Sequence, residues 1–399
     1  MIPRRDITPY KGILFYMMKY LMNLFYHKDY RSIFRRSLER FFGSGRIFLL
    51  SRGRFSLDLI LDSVGYEKGD EIIVPDYYLK ELIPNLEKKG LKVVLCDISR
   101  VDLSLSSDDL SSKMNRNTRF VILPHMFGIC GEVDKLTALI RKKNKRTLII
   151  EDCAHSFGAE YDGKKLGTFG DFSLHSFDYI KPLNTLGGGA LLVNNMAHEE
   201  AIIHSYKKFS SPAKLSALKT LLYYSIQQIA LKTPFFSVVK RLLRSKRIRP
   251  LLYRLHKSES HDPERLSGFQ ALIGHYQLKH FNIRQDILES RMKAYRKLLS
   301  ADIVKQIPVG YNSKHSNYSL FILTGSDSSY ADEHLFRRGV DIGIKDEVMD
   351  LCERSSVFPD SVYVYDRMIQ VPLHHKLSYR KMKKVAAALN SYYEYSLSS

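Results

Sequence analysis

The sequence has little cysteine: Cys96, Cys130, Cys153 and Cys352, scattered along 399 residues. None form a CxxC pair, so neither a disulfide scaffold nor a cysteine zinc site is expected, and no metal is assigned. A reduced, cytoplasmic compartment is the expectation. Long apolar runs are also missing. The best candidate, 13–26, has fourteen residues and is broken by Lys19 and Asn23, which is too short to span a bilayer. His27-Lys28-Asp29-Tyr30-Arg31 follows it in place of a small-residue cleavage site, so a secretory leader is not expected. Acidic residues are absent from 201–258, where thirteen Lys and Arg supply +13 of the net +20. The charge therefore reports a local basic element and does not mark the whole protein as a polyanion binder.

What is present is globular. The chain is 44% hydrophobic and 26% charged, and at ~150 residues per domain its length predicts two or three domains. Helix-period and strand patterns alternate through 31–195. Helices are expected at 32–42, 57–64, 79–86 and 133–142. Strands are expected at 46–50, 71–74, 92–96, 120–123 and 147–150. The last two are β-branched runs without alternation, which suits strands buried on both faces of a parallel sheet. Repeated βα alternation predicts an open α/β sheet. A smaller C-terminal α/β region follows, with helices at 266–278, 283–299 and 379–393 and strands at 318–323 and 368–371. The expected divisions are 1–30, an amphipathic helix; 31–200, the large domain; 201–262, a basic helical insertion; and 263–399, the small domain.

The two unusual segments carry alternatives. On a helix over 13–26, Lys19, Asn23 and His27 make one narrow polar stripe. That helix packs on its own protein or a partner, or it lies in a membrane surface. In the insertion, Leu215, Leu218, Leu221, Leu222, Ile226 and Ile229 give one apolar helical face. Thr233-Pro234 reads as the cap and first turn of a second, basic helix.

Three features carry chemistry. The strand at 147–150 runs into Glu151 and Asp152, and open α/β sheets bind ligands beyond the carboxyl ends of their strands. Lys181 sits shortly before Gly187-Gly188-Gly189. A lysine in a desolvated pocket gives up its proton readily and attacks carbonyl carbon. The strand at 46–50 passes through Ser51-Arg52-Gly53-Arg54 into a helix, which is the geometry of a phosphate cup, and Arg54 adds a bidentate contact there. Each alone is weak. Together, a reactive lysine, a carboxylate for a pyridinium nitrogen and a phosphate cup are the requirements of pyridoxal 5'-phosphate. Tyr78, after another strand end, offers an aromatic cover for the ring.

These stretches resemble the DegT-type, fold-type I sugar aminotransferases that use pyridoxal phosphate. The resemblance rests on Gly69-Asp70-Glu71-Ile72-Ile73-Val74-Pro75, on Ile150-Glu151-Asp152-Cys153-Ala154-His155-Ser156-Phe157-Gly158-Ala159, and on Gly167-Thr168-Phe169-Gly170-Asp171. Arg265-Leu266-Ser267-Gly268-Phe269-Gln270-Ala271 and Val371-Pro372-Leu373-His374 continue it. It implies a mainly parallel sheet in a large domain with a smaller C-terminal domain. By position, it implies Lys181 as the cofactor-bound lysine and Asp152 on the ring nitrogen. It implies Ser176 and Gly53-Arg54 at the phosphate, and His155 where a glutamine usually meets the cofactor's ring face or hydroxyl. It also implies glutamate as amino donor, a keto sugar nucleotide as acceptor and a homodimer; surface polysaccharide or lipid-linked sugar synthesis is the expected setting if the basic insertion holds the enzyme at a membrane face. The family's dehydratase branch has histidine in place of the lysine, and Lys181 argues against it. The family asparagine ahead of Arg265 is missing, as is a His-Tyr pair near Gly343.

Two other readings compete. One is a non-catalytic descendant that keeps the fold as a binding or regulatory module. The other is nucleic-acid binding through the basic insertion. That segment is rich in Leu, Phe and Val and lacks a recognised nucleic-acid module, so an anionic membrane surface suits it better.

Overall fold

The computed structural model describes residues 1–9, 11–212, 216–232, 263–311, 313–314 and 318–398. Seven strands build the main sheet: β1 Arg46–Leu50, β2 Glu71–Pro75, β3 Lys92–Cys96, β4 Thr118–Pro124, β5 Leu148–Asp152, β6 Phe172–Ser176 and β7 Gly189–Val193. Their order is β1-β7-β6-β5-β4-β2-β3. Strands β2 to β6 pair in parallel, and β7 is antiparallel to both its neighbours. Successive residues of the inner strands serve opposite cores. Ile72, Val74, Ile122 and Ile150 pack on one face, while Ile73, Val121, Leu123 and Ile149 pack on the other. That two-sided burial is why these runs show no polar alternation.

The small domain is a three-stranded sheet of β8 Leu320–Leu323, β9 Gly343–Ile344 and β10 Met368–Val371, with β10 in the middle. The helices that matter to the site are α1 Ile13–Tyr26, α2 Tyr30–Phe42, α3 Phe55–Leu61, α4 Val133–Lys143, α5 Ser216–Lys232, α6 Gly268–Lys279 and α7 Phe281–Leu298. Helix α7 supplies Leu288 and Tyr295 to the small domain's core.

Four expectations change. The helix foreseen at 79–86 is a 3-10 turn, Lys80–Leu82, followed by Ile83–Lys88 with a proline in its first turn. Helix α6 lies beyond the expected boundary at 263, yet it packs on α2 in the large domain's core. Its start is fixed by a capping box, in which Ser267 and Gln270 satisfy each other's backbone N–H. In α1 the burial is reversed. Tyr16 is buried and Lys19 and Asn23 are half-buried, while Leu14, Met18, Leu21, Met22 and Phe25 point outward, Phe25 83% exposed. In α5 the single apolar face is divided. Ala217, Tyr224 and Gln228 are buried, whereas Leu222, Ile226 and Ile229 are exposed. The second insertion helix lies outside the described residues.

The α2–α6 contact depends on Gly274. A Cβ there would lie 2.5 and 2.6 Å from two ring carbons of Phe34, a fully buried ring. We predict that Gly274→Ala lowers stability by about 2 kcal/mol in urea unfolding. Overpacking of about 3 kcal/mol outweighs the ~1 kcal/mol that alanine gains in helix propensity.

Candidate active site

The two carboxylates at the end of β5 point to opposite sides, as strand geometry requires. Glu151 is fully buried. It accepts N–H from Gly167 (2.8 Å), Phe169 (2.7 Å) and Gly170 (2.6 Å), and its Oε2 lies 2.9 Å from His125 Nε2. Its acceptor sites are filled, so it is a structural anchor for the 167–170 loop. Cys153 brings a third ligand-type atom within 4.8 Å of these two side chains, but the anchoring bonds already account for Glu151.

Asp152 turns the other way, into the site. Its Oδ1 accepts from Ala154 N at 2.9 Å and its Oδ2 from the Tyr78 hydroxyl. Burial raises its pKa, opposed by the Tyr78 and Ala154 hydrogen bonds and then by the charges of Lys181 and His125. The sequence brought Tyr78 forward as a ring cover. The structure places its fully buried side chain end-on against Asp152, where it orients the carboxylate.

Lys181 lies on the loop between β6 and β7. Desolvation lowers its amine to about 8; the nearby Asp178 and Asp152 charges work against that shift, and Arg5 adds to it. The loop is pinned by Asn184, which is fully buried. Asn184 Nδ2 donates to Tyr179 O (2.9 Å) and Ile7 O (3.0 Å), its Oδ1 accepts from Leu186 N (2.7 Å), and its carbonyl accepts from Gln277 Nε2 (3.0 Å). The return into β7 runs through Gly187 and Gly188 at φ 103° and 117°, which L side chains rarely adopt.

The cup forms where β1, β6 and β7 end together. A Cβ on Gly189 would sit 2.4 Å from Gly53 Cα, and one on Gly53 would meet Ser176 Cβ at 3.1 Å. Only glycine on glycine lets the turn after β1 settle against Ser176. Ser176 is half-buried and Arg54 is exposed at the start of α3. Beside Lys181, His155 stacks on Phe127 at 5.4 Å and 17°. Phe127 N donates to His155 Nδ1 at 3.4 Å. Burial, followed by the charges of Lys181 and Arg5, holds its imidazole well below the usual range. His155 is therefore neutral with its proton on Nε2. Phe127 also stacks on Phe321 of the small domain at 4.0 Å. Beyond that pair opens a cleft of about 490 Å³ whose lining includes Glu289, Lys293, Arg296 and Lys314. The structure thus gathers Lys181, Asp152, Tyr78 and His155 at one side of the sheet, with Ser176, Gly53 and Arg54 at the strand ends alongside.

Residues 22–222 match the DegT/DnrJ/EryC1/StrS aminotransferase family. The chain belongs to that family. Among its relatives is the GDP-perosamine synthase of Escherichia coli O157:H7, 30% identical over 155 residues, which are 39% of this chain and 42% of that protein. The Vibrio cholerae GDP-perosamine synthase is 33% identical over 37% of this chain and 39% of its own. The chain therefore spans under half the length of these relatives. Over nearly its whole length it shares the fold of the Psychrobacter cryohalolentis aminotransferase (TM-score 0.71, 16% identity, 95% and 96% of the two chains). The same holds for the sugar aminotransferase CalS13 of Micromonospora echinospora (TM-score 0.68, 18% identity, 92% of each).

Pyridoxal phosphate is the cofactor of this family, and the residues present fit it. A desolvated amine, a buried carboxylate with acceptor capacity left, and a glycine cradle that a Cβ would fill are the groups it needs. Sequence reasoning missed Asn184, Arg5 and the His125–Glu151 pair. Asn184 lay inside the lysine segment, where asparagine before a glycine turn is a signal. Arg5 had no local signal at all.

The adjacent carboxylates separate by substitution. We predict that Glu151→Ala costs about 3 kcal/mol or more in denaturant unfolding, since three N–H groups lose their acceptor. Asp152→Asn is expected to stay folded and to lose catalysis at least a hundredfold. Equal stability loss in both variants would contradict the division of roles.

Proposed function

We propose that this protein is a pyridoxal-phosphate-dependent aminotransferase that moves an amino group from glutamate to a keto sugar carried on a nucleotide, for surface polysaccharide or lipid-linked sugar synthesis. The observation that carries the reading is the convergence of the Lys181 amine and the Asp152 carboxylate beside the Gly53–Gly189 cradle. Lys181, Asp152, His155, Ser176, Gly53 and Arg54 would hold the cofactor. When bound, it supplies an electron sink for the carbanion at the donor's α-carbon. Lys181 Nζ, neutral on a substantial fraction of molecules near pH 8, takes the proton from that carbon. Asp152, steadied by Tyr78, would be the carboxylate offered to the ring nitrogen. His155, whose Nδ1 accepts from Phe127 N, would have its Nε2–H available to the cofactor. Arg296 and Lys314 give the cleft beside Phe127 a basic rim suited to a nucleotide's phosphates. The nucleotide-linked sugar in the names of the two perosamine synthases supports that choice of acceptor.

The test is direct. Glutamate and a panel of keto-sugar nucleotides are expected to give a mass gain on one sugar nucleotide together with 2-oxoglutarate. Lys181→Ala should stay folded and lose both this reaction and the visible band of the lysine-bound cofactor. Capture of the cofactor by Lys181 should quicken about tenfold per pH unit below pH 8 and level off above it, because only the neutral amine reacts. A wild-type protein that never acquires the visible band would instead favour the non-catalytic reading.

Two further expectations concern assembly. A homodimer should sediment at about twice 46.2 kDa. Among the described residues no helix is long and apolar enough to cross a membrane. The outward apolar rows of α1 and α5, with α5 leading into the acid-free basic segment, support peripheral contact with an anionic bilayer. Co-sedimentation with anionic vesicles at low salt, lost with neutral vesicles, is the expected result. Failure to sediment with either would leave those rows to the second copy.

A further inference from the structure

The short turn Met126–Gly128 follows β4 and stands beside His155. Its start is fixed, since His125 N donates to Asp152 O at 3.0 Å and the His125 ring bonds Glu151 at 2.9 Å. Ile129 N closes the turn on Met126 O at 2.9 Å. Phe127, in its middle, has φ 58° and ψ 18°. A bulky L residue rarely adopts that left-handed conformation, and it persists only where the surroundings over-determine it. In this conformation Phe127 holds one imidazole twice. Its N–H reaches His155 Nδ1 at 3.4 Å, and its ring stacks on the imidazole at 5.4 Å and 17°. The same buried ring stacks on Phe321 of β8 at 4.0 Å and 19°, and Tyr77 meets it edge-on at 6.3 Å. Tyr318, just ahead of β8, completes the group, 5.6 Å from the His155 ring and 5.7 Å from that of Phe321. The His155 ring is therefore set by both domains.

We propose that Phe127 is a positioning residue: it fixes which way the His155 ring faces the cofactor, and through Phe321 it makes that setting depend on the small domain. This rests on the aminotransferase reading. Ordinary packing between domains accounts for the Phe127–Phe321 stack. It does not account for a strained backbone whose N–H is given to a side chain. An imidazole has two orientations about its last torsion, a half-turn apart. Only one of them keeps Nδ1 on the Phe127 N–H, and that bond leaves the ring proton on Nε2. A ring stacked on the imidazole face resists the half-turn that would exchange the two.

The experiment is a double-mutant cycle on the full-length apoprotein, titrated with pyridoxal phosphate and read by its visible band. Phe127→Leu keeps an apolar side chain and removes the ring. It should shift the band and weaken cofactor binding about 3- to 10-fold, the span of an aromatic pair, while Phe127→Tyr stays within about twofold of wild type. In the His155→Ala background the same Phe127→Leu change should cost less than about twofold, because the residue it acts through is gone. Phe321→Leu should shift the band in the same direction and lose its effect in that background. Full additivity of Phe127→Leu with His155→Ala, or an unshifted band in Phe127→Leu, overturns the proposal. If Phe127→Leu does not fold, the cycle of Phe321→Leu with His155→Ala decides by the same criterion. If the wild type binds no cofactor, the functional reading fails, and heteronuclear NMR of the apoprotein decides the role of Phe127. The His155 ring nitrogens, assigned by their absence from His155→Ala, should show one Nε2–H tautomer in the wild type and an average of two in Phe127→Leu. A single tautomer in both overturns the proposal.

Discussion

A charged group at the end of a buried strand must be neutralised, hydrogen-bonded or brought to a ligand, because leaving it bare in a low-dielectric interior is too costly. Strand β5 ends with two such groups in succession, and pleating sends them apart. Glu151 is spent on three backbone N–H groups and His125. Those bonds hold the 167–170 loop, which feeds directly into β6 and so fixes where the lysine loop begins. Asp152 keeps only two partners. The saturation of one carboxylate makes the incomplete satisfaction of the other usable.

The same logic extends to Lys181. Its amine is depressed because the loop around it excludes water, and that loop is rigid because Asn184 binds its two sides together. One of Asn184's bonds goes to Ile7, near the N-terminus. The charges of Asp178 and Asp152 then oppose that shift and the charge of Arg5 adds to it, with His155 between aromatic neighbours. The electrostatics of the site are therefore set partly by a segment far away in sequence from the lysine.

This explains what was legible in the sequence. Strand ends, glycine turns and the lysine are local features, and each has a pattern within about ten residues. The sheet followed from β-branched runs such as 120–123, whose burial on both faces leaves no room for polar alternation. Tyr78 was found as an aromatic near the site, but its end-on bond to Asp152 depends on the registers of β2 on β4 and of β4 on β5 and has no trace in the sequence. Arg5 was invisible for the same reason, since its significance comes only from the pairing of Ile2 with Val340. The packing of α6 on α2, through the close approach at Gly274, joins segments far apart in sequence and has no local pattern either.

The reversed burial of α1 follows from a competition that a helical wheel cannot resolve. The helix has more apolar residues than one face can bury, so the body chooses which of them to cover. It takes Tyr16 between Phe15 and Tyr276, and Tyr20 against Phe269. Leu14, Met18, Leu21 and Phe25 are left outside as a continuous row. The choice is repeated in α5, where Tyr224 is taken in and Leu222, Ile226 and Ile229 are left out. Both helices thus expose a row of large apolar side chains. Of the alternatives the sequence left for α1, packing on its own protein accounts for Tyr16 and Tyr20 and not for the outward row.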